Sequence, residues 1–286
     1  METPEAGLPP AVESSPIEVP PAIPPDELRL QRYPEDLRAP WGWADLLAFV
    51  LVTLGLYFGV SVAMFVAFFA TGKSAAQVQN SPQSLAILAI ISTLVVAAGQ
   101  FGYLYVRTRL TLRQPFWQAL GWRSFRSLGL RTRLMALICI LGGFAFALLI
   151  GFVSDAIGQK HGIPMETFFQ DRRSALMLMI LGITLAPIVE ETVFRGFMYP
   201  VAARTLGIPG GVVATGVLFG LLHAPQLWGA WAQIGLLVVV GIVLTYVRAR
   251  SRTVLASYLL HVSYNSYLFA AFVVVTHGLK NLPAAH

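Results

Sequence analysis

Long hydrophobic runs with almost no charged residue dominate the chain from residue 44 onward. They lie at about residues 44–70, 84–106, 134–153, 174–199, 210–227, 230–247 and 254–275. A helix needs about 20 apolar residues to cross roughly 30 Å of bilayer hydrocarbon, which is close to the length of these runs. The pattern therefore predicts an all-α fold, a polytopic transmembrane helical bundle with about seven spans and a range of roughly six to eight.

The composition supports a bilayer environment. Charged residues make up 12% of the chain, against about 25% in average soluble domains. The net charge of +6 does not indicate nucleic acid, because the arginines flank hydrophobic runs, as in the positive-inside pattern. The single cysteine, Cys139, lies within a run, which argues against a Cys-rich metal site. We expect membrane lipids as partners, no nucleic acid, and a multi-pass location in a bacterial cytoplasmic membrane.

Three regions follow one another along the chain. Residues 1–40 hold ten of the 18 prolines and eight of the 14 acidic residues, a composition that predicts a disordered tail. Residues 41–133 contain the first two spans and then a basic segment, with seven arginines and no acid, that suits a membrane interface. Residues 134–275 hold the remaining spans and form the predicted core.

Two adjacent carboxylates, Glu190 and Glu191, lie inside the fourth hydrophobic run. A carboxylate at bilayer depth costs about 2.5–3.5 kcal/mol, and adjacent ones also repel, so the pair indicates a functional site. Arg195 follows Glu191 by four residues, in the order that favours an ion pair, while Glu190 points about 100° away. The alternative is a buried ion pair that only fixes helix packing, but one glutamate would suffice for it.

Two of the five histidines, His223 and His261, also lie inside hydrophobic runs. Phe219 and His223 share one helix face, as do His261 and Asn265, so each helix can direct one polar patch inward. A single histidine in a span is often just hydrogen-bonded to a neighbouring helix. Two histidines together with Glu190 make that explanation less complete.

These side chains provide the groups that peptide hydrolysis needs, namely a base for water and donors for an oxyanion. The sequence has no HExxH, no GxSxG and no intramembrane aspartate pair, so zincin, serine and aspartyl mechanisms are disfavoured. A transporter or proton relay that uses the intramembrane glutamates and histidines is the main alternative. No inverted repeat is visible, however, and a relay does not explain Asn265.

Three motifs resemble those of a known family. Glu190 to Arg195 reads EETVFR and fits EExxxR, Phe219 to His223 reads FGLLH and fits FxxxH, and His261 to Asn265 reads HVSYN and fits HxxxN. In this order, each within a hydrophobic run, they resemble the type II CAAX prenyl endopeptidase and bacteriocin-processing family of intramembrane proteases. The resemblance covers about residues 134–275, and it leaves open an inactive relative that acts as a scaffold or immunity factor.

The resemblance implies a helical bundle around a polar intramembrane cavity, open towards the cytoplasm, and an endopeptidase that acts on a peptide or membrane-protein substrate. By position, Glu190 would activate water with help from His223. His261 and Asn265 would stabilise the oxyanion, and Phe219 would pack beneath His223. Glu191 and Arg195 would orient the site as an ion pair.

The resemblance leaves the cofactor open between zinc and none, since the family is often called a metalloprotease. Glu190, His223 and His261 could supply three ligands of an open zinc site with water in the fourth position. The sequence does not decide between zinc-bound water and water activated by glutamate alone. We favour the second.

Overall fold

The computed structural model describes residues 30–72, 81–129, 131–158 and 169–282, and these residues form helices and connecting loops without a β-strand. The helices are α1 (Trp43–Thr71), α2 (Pro82–Tyr105), α3 (Phe116–Ala119), α4 (Thr132–Ile157), α5 (Arg172–Ile183), α6 (Leu185–Glu190), α7 (Tyr199–Leu222), α8 (Trp231–Ser251) and α9 (Val254–Val275). Two π-helical segments, Val106–Thr111 and Glu191–Met198, continue α2 and α6. Short 3-10 turns lie at Glu35–Leu37 and Arg126–Leu128.

Six helical stretches of the described residues are long and apolar enough to cross a membrane. One of them, Arg172–Leu222, runs for 51 residues, about twice the length that a single crossing needs. Its backbone leaves the helical conformation at Gly207, with φ 74° and ψ 166°. Because this break falls between the predicted fourth and fifth spans, the prediction of about seven spans is roughly consistent with the structure. The predicted all-α membrane bundle is confirmed.

Glycines allow the core helices to approach closely. A Cβ atom at Gly216 of α7 would lie 2.5 Å from the backbone nitrogen of Ile242 in α8, and one at Gly220 would lie 2.7 Å from that of Val238. Between α4 and α9, a Cβ at Gly143 would lie 2.4 Å from the Leu260 carbonyl oxygen. These contacts leave no room for a larger side chain and fix two tightly packed helix pairs, α7 with α8 and α4 with α9.

The chain before α1 packs against the end of the bundle. Asp36 forms an ion pair of 2.9 Å with Arg248 of α8, and both side chains are almost fully buried. Leu37 is buried, and so is Trp41, whose indole nitrogen donates to the Phe197 carbonyl at 2.9 Å. Residues 30–40 therefore differ from the predicted disordered tail, because specific buried contacts outweigh their polar composition. The rest of that predicted tail, residues 1–29, lies outside the described residues.

The basic segment after α2 also contacts the core. The Trp122 indole nitrogen donates to the Thr192 hydroxyl at 3.1 Å. The Leu120 carbonyl oxygen would lie 2.6 Å from a Cβ at Gly196. Val254, at the start of α9, donates its backbone N–H to the Gly121 carbonyl at 2.9 Å. The segment is thus part of the scaffold around the π-helical segment Glu191–Met198.

Candidate active site

The site is centred where an α-helix changes into a π-helix. Glu190 is the last residue of α6 and Glu191 is the first of the π-helical segment, which ends at Met198. Seven of the eight residues of this segment are buried. Turns of π-helix are rare and occur frequently at functional sites, since they place side chains where an α-helix would not.

The Glu190 carboxylate faces two histidines from different helices. Its Oε1 lies 3.9 Å from Nε2 of His223, at the end of α7, and its Oε2 lies 3.8 Å from Nε2 of His261 in α9. The side chains of Glu190 and His223 keep 24% and 20% of their surface exposed. The Glu190 carboxylate and the His223 imidazole therefore remain partly accessible from outside the protein.

The Glu191 side chain, in contrast, is buried in the protein. Its Oε1 lies 3.0 Å from Nη1 of Arg195 and 2.9 Å from Nδ1 of His261. The Glu191 and Arg195 side chains have no exposed surface. A single carboxylate oxygen thus connects the guanidinium to the imidazole.

Arg195 is held by further contacts. Its Nε donates to the Thr245 hydroxyl at 3.2 Å and its Nη2 to the Gly241 carbonyl at 3.0 Å, both on α8. The Phe219 ring lies under the guanidinium, 4.5 Å from Cζ to the ring centroid. Guanidinium groups combine planar hydrogen bonding with stacking on aromatic rings, so this position suits an arginine and not a lysine.

Phe219 also contacts both histidines. Its ring centroid lies 4.7 Å from that of His223 and 6.0 Å from that of His261. The Phe219 carbonyl lies 2.7 Å from Nδ1 of His223. Because a carbonyl only accepts, Nδ1 of His223 carries the proton, and a neutral His223 presents an unprotonated Nε2 to Glu190.

Asn265 lies one turn after His261 on α9 and is oriented by a different helix. Its amide nitrogen donates to the Gly182 carbonyl of α5 at 2.8 Å. That bond uses one of the two amide hydrogens, which leaves the second for another acceptor. Asn265 is thus held against α5, one turn along α9 from His261. The structure brings the other six predicted residues into one connected group: Glu190, Glu191, Arg195, Phe219, His223 and His261.

The contribution of α8 to the site was not predicted from the sequence. Thr245 and Gly241 lie four residues apart on a hydrophobic helix that carries none of the three motifs. A threonine among apolar residues has no local feature that distinguishes a partner of arginine from one that bonds its own helix. Only the spacing of Gly241 and Thr245 on one face could have drawn attention to them.

The residues that could hold zinc do not meet the geometry of a metal centre. Ligands about 2.0–2.1 Å from a tetrahedral zinc ion lie roughly 3.3–3.4 Å apart, whereas the Glu190 oxygens lie 3.8 and 3.9 Å from the two histidine nitrogens. Over the described ranges no group of three His, Cys, Asp or Glu side chains is arranged to hold a metal ion. We therefore derive no chemical step from a metal.

The six long apolar helices among the described residues indicate an integral, multi-pass membrane protein. Residues 172–267 match the model of the family described as type II CAAX prenyl endopeptidase Rce1-like. The match agrees with the family that the motifs predict, and the matched residues include all seven predicted site residues. No curated protein and no solved structure matches the chain. The family implies a CAAX-type protease that acts in the membrane.

Proposed function

We propose that this protein is an intramembrane endopeptidase in which Glu190 activates the water molecule that attacks the peptide bond. One observation carries the proposal: the two oxygens of a partly exposed carboxylate face Nε2 atoms of histidines on two other helices. A general base must lie within reach of the proton it removes, directly or through one water. The substrate is a peptide or a membrane protein with a scissile bond near the membrane.

Glu190 and His223 are spaced to hold that water. A water molecule about 2.8 Å from both Oε1 of Glu190 and Nε2 of His223 spans their separation of 3.9 Å with an angle close to 90° at its oxygen. It donates one hydrogen to each, because the carboxylate and the unprotonated Nε2 both accept. Its lone pairs then point away from the protein groups, toward a substrate carbonyl carbon.

His261 and Asn265 are the proposed oxyanion donors. Nδ1 of His261 is bonded to the Glu191 carboxylate, which accepts, so Nε2 carries a hydrogen only when the ring is an imidazolium. Its positive charge is balanced by the Glu190 carboxylate 3.8 Å away. When Glu190 takes the water proton, the negative charge passes to the substrate oxygen, and the imidazolium then faces that oxygen. The free amide hydrogen of Asn265 is the second donor.

The proton that Glu190 takes from water is then passed to the leaving group. Glu190 gains it as the water oxygen bonds to the carbonyl carbon, and the protonated carboxyl group then delivers it to the amide nitrogen as the C–N bond breaks. The products are a carboxylic acid and an amine, and Glu190 returns to its charged form. Glu191 and Arg195 do not exchange protons in this scheme. They hold His261 in its orientation.

The test compares wild-type protein with Glu190→Gln in detergent, using a library of quenched peptides and a membrane extract. Asp155→Asn is the matched control, since Asp155 is an exposed carboxylate near the end of α4. We expect cleavage by the wild type and the control and none by Glu190→Gln. Metal bound to the same samples is quantified, so that activity can be compared with metal content.

The outcomes separate the peptidase from the other interpretations. Cleavage by Glu190→Gln at the wild-type rate would refute Glu190 as the base. No cleavage by any folded variant would favour a proton relay or an inactive relative. A relay predicts proton movement in reconstituted vesicles that Glu190→Gln abolishes.

A further inference from the structure

Thr245 completes the surroundings of Arg195. Its hydroxyl oxygen accepts from Nε of Arg195 at 3.2 Å and donates to the Gly241 carbonyl at 2.7 Å. The same carbonyl accepts from Nη2 of Arg195 at 3.0 Å. A hydroxyl at position 245 is therefore acceptor and donor in one closed group of hydrogen bonds. Valine has the same shape and can do neither.

Water cannot take the place of the Thr245 hydroxyl. Thr245 and Arg195 have no exposed surface, so water does not reach the guanidinium to replace the bond. A Cβ at Gly241 would lie 2.6 Å from the Gly216 carbonyl oxygen, which shows that α8 lies directly against α7 at this level. That close approach places Thr245, one turn further along α8, beside Arg195.

The effect of Thr245 reaches the reacting groups through a short series of contacts. Arg195 bonds Oε1 of Glu191, and the same oxygen bonds Nδ1 of His261. The other nitrogen of His261 faces Glu190 at 3.8 Å. A shift of the guanidinium therefore moves the acceptor that orients His261. In metal sites, loss of a partner one layer behind a reacting group typically lowers activity by about 10- to 100-fold. Thr245 acts through Arg195 and Glu191, so the lower end of that range applies.

We propose that Thr245 is a positioning residue of the active site, which fixes Arg195 and, through Glu191, the orientation of His261 toward the reacting atoms. The inference rests on the proposed peptidase function. It assigns a role to α8, and it treats the threonine hydroxyl as part of the site and not only of the packing between α7 and α8.

The primary test is Thr245→Val, with Thr245→Ser as the conservative variant that keeps the hydroxyl. Thr215→Val is the matched control, because Thr215 on α7 is also buried and its hydroxyl makes no hydrogen bond with the described residues. We expect kcat to fall by about 10-fold in Thr245→Val with KM unchanged. Thr245→Ser and Thr215→Val should keep kcat close to wild type.

A double variant shows whether Thr245 acts through Glu191. We expect Glu191→Gln alone to lower kcat, and Thr245→Val to add little in that background, because residues that act in series give non-additive effects. A general loss of helix packing would instead lower kcat by the same factor in both backgrounds. Should Thr245→Val fail to fold, Thr245→Ala compared with Thr245→Ser and Thr215→Ala makes the same measurement.

The possible results distinguish failure of the Thr245 role from failure of the proposed function. Wild-type cleavage that Glu190→Gln abolishes, measured in the same preparations, establishes the reaction. With the reaction established, a wild-type kcat in Thr245→Val would overturn the positioning role and leave the function in place. Equal losses in Thr245→Val and Thr215→Val would also overturn it, as a packing effect. Absence of cleavage by the wild type would overturn the proposed function, and the role of Thr245 with it.

Discussion

The buried ion pair between Asp36 and Arg248 gives a sharp prediction about the segment before α1. Asp36→Asn keeps the size of the side chain and removes its charge. Arg248 would then remain fully buried without a carboxylate, retaining a bond to the Asp36 carbonyl at 3.2 Å and the Tyr199 ring 5.6 Å away. Removing one partner of a buried pair costs about 3–5 kcal/mol. The lower end applies, because the asparagine oxygen still accepts.

Thermal unfolding in detergent measures this effect. About 3 kcal/mol corresponds to a fall in Tm of roughly 6–12 °C for a chain of this size. Glu35→Gln is the matched control. Glu35 is the neighbouring acid and also pairs with an arginine, Arg123, at 2.9 Å, but its side chain is 75% exposed. An exposed pair contributes less than about 1 kcal/mol, so Tm should change little. Equal shifts in the two variants would refute the reasoning from burial.

Three further predictions follow from the packing, the helix cap and the site. Gly241→Ala should destabilise the protein by about 1–3 kcal/mol in thermal unfolding, because its Cβ would overlap the α7 backbone. Gly235→Ala, with open space on the same helix, should not. The Asp171 side chain caps the start of α5. Burial raises the pKa of Asp171, but hydrogen bonds from Ser174 and from the backbone have the larger combined effect, so the pKa is lowered. Near neutral pH, Asp171→Ala should therefore lower the free energy of unfolding by about 1 kcal/mol, and Tm with it. The difference in stability between wild type and variant should shrink as pH falls through the lowered pKa of Asp171. A difference that stays constant in acid would contradict this. Asn265→Ala should lower kcat by about 10²- to 10³-fold as a lost oxyanion donor, while Ser266→Ala, its neighbour, should leave kcat unchanged.

The spans could be predicted from the sequence because hydrophobicity along a helix is a local property. The ion pair of Glu191 with Arg195 was predictable for the same reason, since residues four apart on one helix are neighbours. The contact of Asp36 with Arg248 joins residues 212 positions apart. No local pattern indicates such a pair. The average composition of the proline-rich segment predicts disorder and so conceals the contact.

The residues of the site were predicted, but the π-helical segment that positions them was not. Glu190, His223 and His261 stand out because polar groups are rare in hydrophobic runs, and the structure brings these three together. Their roles stay predictions until activity is measured. The π-helical segment could not be predicted, because the same residues are compatible with an α-helix and the choice depends on packing against neighbouring helices.

That π-helical segment makes the number of residues in this stretch as important as their identity. Each residue of an α-helix turns the chain by about 100°. Deleting one residue between Arg195 and Met198 would let the segment tighten into an α-helix and would rotate Glu190 away from the histidines, although EExxxR would stay intact. Alignment gaps within these eight positions would thus mark relatives that have lost the active geometry, even where Glu191 and Arg195 are both present.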